Sequence, residues 1–326
     1  MTGTALTVTD LAAATIAIVL ALYAVFGGAD FGGGIWDALA FGPRRARQRA
    51  AIAHAMGPVW EANHVWLIFV LVLLFSCFPR AFSALSIALF VPLHLALVGV
   101  TLRGVAFVFR KQAPDQRAFG LFFGISSVVT PVLFGACVGA VSTGQLGRDA
   151  TRAWLSPLSI AMGLAALTVC AYQSAVFLAH ATDGDLREDF RARAILAAIV
   201  VFVGATATLP LLRVSAPEFW SGLTSGPARL VVAFGVVASL VAIGALVRRS
   251  FAIARVASAA QTVAYVFGWA IAQWPYALRP SLTLHAAASP TSTIKFILAT
   301  LPIGAALLVP SLVYLFRVFD SDRGSD

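Results

Sequence analysis

The stretch His54–Phe78, HAMGPVWEANHVWLIFVLVLLFSCF, decides the fold. From Val65 onward it carries no charge, and Val59–Phe78 supplies the roughly 20 apolar residues that a helix needs to cross ~30 Å of hydrocarbon. Its apolar residues are continuous and do not alternate, which points to a membrane helix and not a barrel strand. Polar groups crowd its leading end, where Glu61, Asn63 and His64 sit between Trp60 and Trp66.

The rest of the chain repeats this character. Of 326 residues, 60% are hydrophobic and only 11% charged, against roughly 25% charged in a soluble domain. Mean hydropathy is +0.90. Nine apolar runs follow one another: Leu11–Leu39, Val59–Phe78, Ala81–Phe109, Phe119–Ser142, Ser156–His180, Ala194–Leu212, Pro227–Val247, Ala257–Leu278 and Thr293–Phe319. The first lacks a basic leader and a small-residue cleavage site, so it reads as a span and not a signal peptide. The expected fold is an all-α integral membrane protein, a single polytopic domain over 1–326.

Arginine and lysine give the orientation. They cluster at Arg44–Arg49, Arg110–Arg117, Arg187–Arg193, Arg248–Arg255 and Arg317–Arg323, which are the loops after odd-numbered spans and the C-terminal tail. The opposite side has only Arg80, Arg148, Arg152, Arg213, Arg229 and Arg279. This bias puts the N-terminus outside and the C-terminus in the cytoplasm. It also accounts for the net charge of +9 without a nucleic-acid partner, since anionic lipid headgroups meet these arginines. Cys77, Cys137 and Cys170 lie in separate apolar runs and read as small packing residues, not a disulfide or metal set.

Ionisable groups inside spans are costly and are functional candidates by default. Asp30 and Asp37 lie late in the first span, Glu61 and His64 open the second, and Arg103 and His94 lie in the third. Glu61 and His64 are three residues apart and share a helix face. Two readings stay open at this level. Glu61 pairs with Arg103 only to neutralise charge, or Glu61, Asp30, Arg103 and His64 serve proton traffic from the cytoplasmic side. Trp60, Asn63 and Trp66 suit a membrane interface or a planar ligand. His54, His64, His94, His180 and His285 are possible haem ligands, but isolated membrane histidines are more often packing or interface residues. No metal or haem site is therefore expected in this chain.

The glycine run Phe26–Trp36, FGGADFGGGIW, lacks the Lys-Ser/Thr ending and preceding strand of a phosphate loop. Gly28 and Gly32 form a GxxxG pair that, with Gly34, gives a smooth surface for helix packing.

Together, "GGADFGGGIWDAL" and "GPVWEANHVWLI" resemble subunit II of the cytochrome bd-type quinol oxidases. Trp60, Glu61, Asn63, Val65, Trp66 and Leu67 match the family's second-span run. Gly28, Asp30, Gly32 and Gly34 match its first-span run, but Gly27 stands where the family has a leading Asp and Ala29 where it has Phe. Looser matches reach "ATDGDL" and "QWPYALRPSLTLHAAAS", which marks the chain as a divergent member.

The resemblance implies nine helices in two four-helix bundles plus a peripheral helix, in a bacterial cytoplasmic (inner) membrane. It implies a haem-free chain with no catalytic residue of its own. That chain stabilises a haem-bearing subunit I (haem b with haem d, or b-type only) and helps supply cytoplasmic protons for reduction of dioxygen to water by quinol. It leaves room for a structural quinone, bound lipid and a small single-span subunit. A proton-coupled secondary transporter using Asp30, Glu61 and Arg103 is the alternative, weakened by the lack of an internal repeat of these motifs.

Overall fold

The computed structural model describes residues 6–109, 116–147 and 149–321, the last seven of these and Gln116 by backbone only. Arg110, Lys111, Arg148 and Arg323, used above for orientation, lie outside the described residues. Nine helices among them are long and apolar enough to span a membrane.

The first, α1 (Val8–Ala38), starts from a capping box in which Asp10 N–H donates to Thr7 Oγ1 and Thr7 N–H to Asp10 Oδ2. It runs unbroken through the glycines. α2 (Arg45–Cys77) is 33 residues long, because the basic linker forms its first turns instead of a loop. Alanine, arginine and glutamine favour helix there. Side-chain contacts pin the segment: Gln48 Nε2 and Arg44 both bond Asp189, and Arg49 Nε donates to the Asp37 carbonyl. Asp189 thereby raises the Arg44 pKa, mainly through the hydrogen bond.

The expected third span, Ala81–Phe109, divides into α3 (Pro79–Ala88) and α4 (Phe90–Phe109). Pro92 explains the break. It has no N–H to offer, and its ring would strike the carbonyl of Ala88 four residues back. Then come α5 (Gln116–Thr143), the short α6 (Ala150–Trp154), α7 (Pro157–Ala181) and α8 (Gly184–Ser215), the last begun ten residues before the expected Ala194. The short α9 (Pro217–Thr224) leads to α10 (Gly226–Val247) and α11 (Phe251–Gln273).

The expected eighth span runs too far. α11 stops at Gln273, and Pro275 and Pro280 open into a hairpin of β1 (Tyr276–Leu278) and β2 (Leu282–Thr283), with Tyr276 opposite Thr283. The single turn α12 (Leu284–Ala287) and the long α13 (Thr291–Ser321) complete the chain.

α1 sits at the centre, against α2, α5, α7 and α11. Small residues set its spacing. A Cβ at Gly32 would fall on the Cys170 carbonyl of α7, one at Gly34 on Ser127 Oγ of α5, and one at Gly33 within 2.6 Å of Met56 Sδ of α2. α13 lies against α1 and α2 and leaves most of its length uncovered. The exterior is apolar, as expected of a surface that faces lipid or another membrane protein.

Candidate functional site

Four helices bring one charged pair together. Asp30 of α1 is 0% exposed and Arg103 of α4 is 2% exposed. Arg103 Nη2 donates to Asp30 Oδ1 at 2.7 Å and Nη1 to Oδ2 at 2.8 Å, a bidentate fork. Nη2 also donates to the Asp30 carbonyl at 2.7 Å, and Nε donates to Ser127 Oγ of α5 at 3.0 Å. Ser127 Oγ in turn donates a hydrogen bond to the Phe123 carbonyl at 2.6 Å. The guanidinium carbon lies 5.2 Å from the centre of the Phe31 ring and 4.8 Å from that of Phe123. From α2, Asn63 Nδ2 adds a bond to Asp30 Oδ2 at 3.2 Å. A buried ion pair persists only when its remaining hydrogen-bonding capacity is met in this way.

Beside the pair lies a crevice lined by Tyr23, Asn63, His64, Leu67 and Val100, too narrow to admit a water-sized sphere. Tyr23 Oη and Asn63 Oδ1 are buried there without a hydrogen-bond partner. Asn63 also lies over Gly27, where a Cβ would come within 3.1 Å of its Oδ1. The position that carries the leading acid in the resembling family thus faces an amide here.

Glu61 is not part of this cluster. Arg103 takes Asp30 as its partner, and the Glu61 carboxylate forms no hydrogen bond or ion pair among the described residues. It is exposed on the outer face of α2, in line with His54 at one end and Ile68, Val72 and Phe75 at the other. Seven-residue steps from His54 to Phe75, with Val72 one turn past Ile68, keep these positions on one stripe. His64 is half-buried, with Nδ1 2.8 Å from the Trp60 carbonyl. A carbonyl only accepts, so Nδ1 carries the proton and Nε2 of the neutral ring is left as an acceptor.

Trp60 packs on Phe107 at 5.6 Å and meets the edge of His64 at 5.0 Å; Trp66 stacks on Phe26 at 6.5 Å. Both are half-buried, and both indole N–H groups lack a partner. Asp37 sits at the end of α1, 3.9 Å from Arg49 Nε. His94 is exposed on α4 with Nδ1 on the Phe90 carbonyl, and His285 lies 3.7 Å from Asp10. Among the described residues no three His, Cys, Asp or Glu side chains converge as a metal site.

Ser127, Phe123 and Tyr23 were not singled out from sequence. Ser127 had a signal: it belongs to a serine pair followed by Thr130 inside an otherwise apolar run, and hydroxyls in a span mark an interhelical face.

Residues 8–319 match the sequence profile described as cytochrome bd terminal oxidase subunit II. The chain is 22% identical to a putative cytochrome bd menaquinol oxidase subunit II of Bacillus subtilis over 93% of its own length and 92% of that protein. It is 27% identical to the cytochrome bd-I ubiquinol oxidase subunit 2 of Escherichia coli, over 58% of this chain and 52% of that one. Its fold superposes on a chain of the bd oxidase from Geobacillus thermodenitrificans with a TM-score of 0.85, covering 96% of this chain and 99% of the other at 24% identity. With its nine candidate spans and these matches, the chain is a multi-pass membrane protein that belongs to the cytochrome bd terminal oxidase subunit II family, and is thus the partner of a subunit I in a quinol-oxidising, oxygen-reducing complex.

Proposed function

We propose that this chain braces the haem-bearing subunit I and hands it cytoplasmic protons through Glu61. One observation carries the reading: an uncompensated carboxylate stands on the apolar outer stripe of α2. Lipid is a poor neighbour for such a group, whereas a partner subunit with polar groups at that level gives it hydrogen bonds. Docking subunit I on this stripe places Glu61 in the interface, near the side where the arginine-rich loops gather.

His64, one turn along α2, offers Nε2 as the next proton acceptor. Asp30 and Arg103 contribute differently. Locked to each other, they hold α1, α2, α4 and α5 in register and set the field around His64 without having to release a proton in every cycle. Trp60 and Trp66 flank the stripe and supply aromatic area for the contact with subunit I or a quinone, while Asn63 ties α2 to Asp30. The haems b and d, the quinol and any small single-span subunit belong to the rest of the assembly. The relatives named above are bacterial, which supports a bacterial cytoplasmic membrane as the home of that assembly. Haem, when bound in the partner, supplies the electron transfer to dioxygen; this chain's residues only move protons and hold shape.

The test is Glu61→Gln in the assembled complex. Oxygen turnover is expected to fall about a hundredfold, the low end of the range for losing a proton-transfer group, while haem content and subunit stoichiometry stay unchanged. Normal turnover in the assembled variant overturns the relay. Substrate-dependent proton flux by the isolated chain favours the transporter alternative.

A further inference from the structure

A second feature lies among three of the same helices. The end of α1, the start of α2 and the first half of α5 enclose a groove of about 850 Å³, open along one side. Its mouth is basic, with Arg45, Arg49 and Arg117, and its wall is apolar, with Leu121, Ile125, Val128 and Val129. We propose that this groove binds one anionic phospholipid, its phosphate held by the arginines and one acyl chain laid along α5.

Several observations converge on that occupant. Arg45 and Arg49 are four residues apart, so both guanidinium groups rise from one face of α2. Arg49 is committed to Asp37, through its carbonyl at 3.1 Å and its carboxylate at 3.9 Å. The Arg45 side chain is exposed and makes no hydrogen bond or ion pair among the described residues. Among the described residues, Arg45 therefore brings to the mouth a positive charge that no carboxylate side chain meets. No side chain caps the N-terminus of α2 beside it, so the first-turn N–H groups add to the same field.

The wall has the dimensions of a chain site. From Arg117 to Val129, α5 extends about 18 Å, slightly more than the ~15 Å of one leaflet's hydrocarbon. Gly120 and Gly124 hollow it out. A Cβ at Gly120 would meet nothing within 4 Å, while one at Gly124 would lie 3.0 Å from Ala38 Cβ, which closes the floor. The charge stands at the level of the helix ends and the apolar trough runs inward from it, the order of headgroup and tail in a bilayer. A neutral quinone would match the trough but leave the Arg45 guanidinium unmet.

The experiment uses the two-subunit complex in neutral detergent, with phosphatidylglycerol and phosphatidylcholine of identical acyl chains added in turn and retained lipid counted by native mass spectrometry. One phosphatidylglycerol should be held in preference to phosphatidylcholine. Arg45→Gln should weaken that preference about fivefold, and Arg45→Gln with Arg117→Gln further, since a basic residue near an anionic headgroup is worth about that factor. Gly120→Phe, which fills open space, should abolish retention of both lipids while oxygen turnover and subunit I binding persist. Equal retention of the two lipids, unchanged by any variant, marks an adventitious surface lipid and overturns the proposal. Loss of subunit I from the Gly120→Phe complex shows the groove to be a protein interface and overturns it too, as does a retained quinone in place of lipid. Glu61→Gln should leave lipid retention intact, so this site and the proton relay fail independently.

Discussion

Two polar interiors hold this molecule together, and they are built on different chemistry. Between α1, α2, α4 and α5 the contact is ionic: Asp30 and Arg103, forked together and roofed by Phe31 and Phe123. Between α7 and α11 it is neutral. Gln173 Nε2 donates across to Thr262 Oγ1 at 2.8 Å; within α11, Thr262 Oγ1 donates to the Ser258 carbonyl at 3.3 Å and Gln261 Nε2 to Tyr265 Oη at 2.6 Å. α1 touches both, with Asp30 on one side and Gly28 against Gln173 on the other. A neutral group that loses its partner inside a membrane protein often finds another, and such bonds average about 0.6 kcal/mol. A charge that loses its partner there has no comparable substitute. The two interiors should therefore respond very differently to a single substitution.

The largest effect is expected on the ionic side. Arg103→Leu strands the Asp30 carboxylate, at a cost of about 3–5 kcal/mol. Detergent-denaturation midpoints of the complex, followed by helix content, measure it. Replacing both partners, Asp30→Leu with Arg103→Leu, should recover most of that loss, because a buried pair and a well-packed apolar pair differ little. A double variant no more stable than the single one would mean that the pair matters for its shape rather than its charge.

How far this contrast was legible beforehand depends on the level. The nine spans were readable because length and continuous hydrophobicity settle them without tertiary information. Their ends were not. The basic linker gave no sign that Asp37 and Asp189 would hold it in a helix, and Pro92 broke the third span through a clash that only a helical path creates. The charges of the first interior were visible as charges, but not their pairing. Glu61 and Asn63 are two residues apart, about 200° around a helix. Once Asn63 turns in to Asp30, Glu61 must turn out, and the sequence alone does not set that rotation. The stripe from His54 through Glu61 to Phe75 carried the information, since it is apolar beyond Glu61 at every helical return. The neutral α7–α11 interior went unnoticed because single Gln and Thr residues in a span resemble ordinary helix residues.

An intermediate effect should appear where α1 meets α7. At Gly32 the obstacle to a side chain is the Cys170 backbone carbonyl, with Ser174 Cβ at 2.5 Å, and neither can swing aside. Gly32→Ala should therefore cost about 1–3 kcal/mol by forcing the helices apart. At Gly28 the nearest atom is Gln173 Cγ at 3.3 Å, part of a flexible side chain, so Gly28→Ala should cost less than about 1 kcal/mol. The same denaturation assay ranks them. Equal costs would show that the α1–α7 spacing is not what limits this surface.

The smallest effect is expected on the neutral side, and it tests the comparison most sharply. Gln173→Leu removes the donor to Thr262, and Thr262→Val removes the acceptor. Each should cost about 0.6 kcal/mol, with an upper bound near 1.7 kcal/mol. In a double-mutant cycle the two should couple, because each single change already breaks the shared bond. The geometry tells against a larger penalty: Thr262 Oγ1 keeps its bond to the Ser258 carbonyl when Gln173 is gone, so no buried hydroxyl is orphaned. If Gln173→Leu instead costs as much as Arg103→Leu, the distinction between charged and neutral interiors fails. The amide would then have to be holding α1, through Gly28, as firmly as the ion pair does.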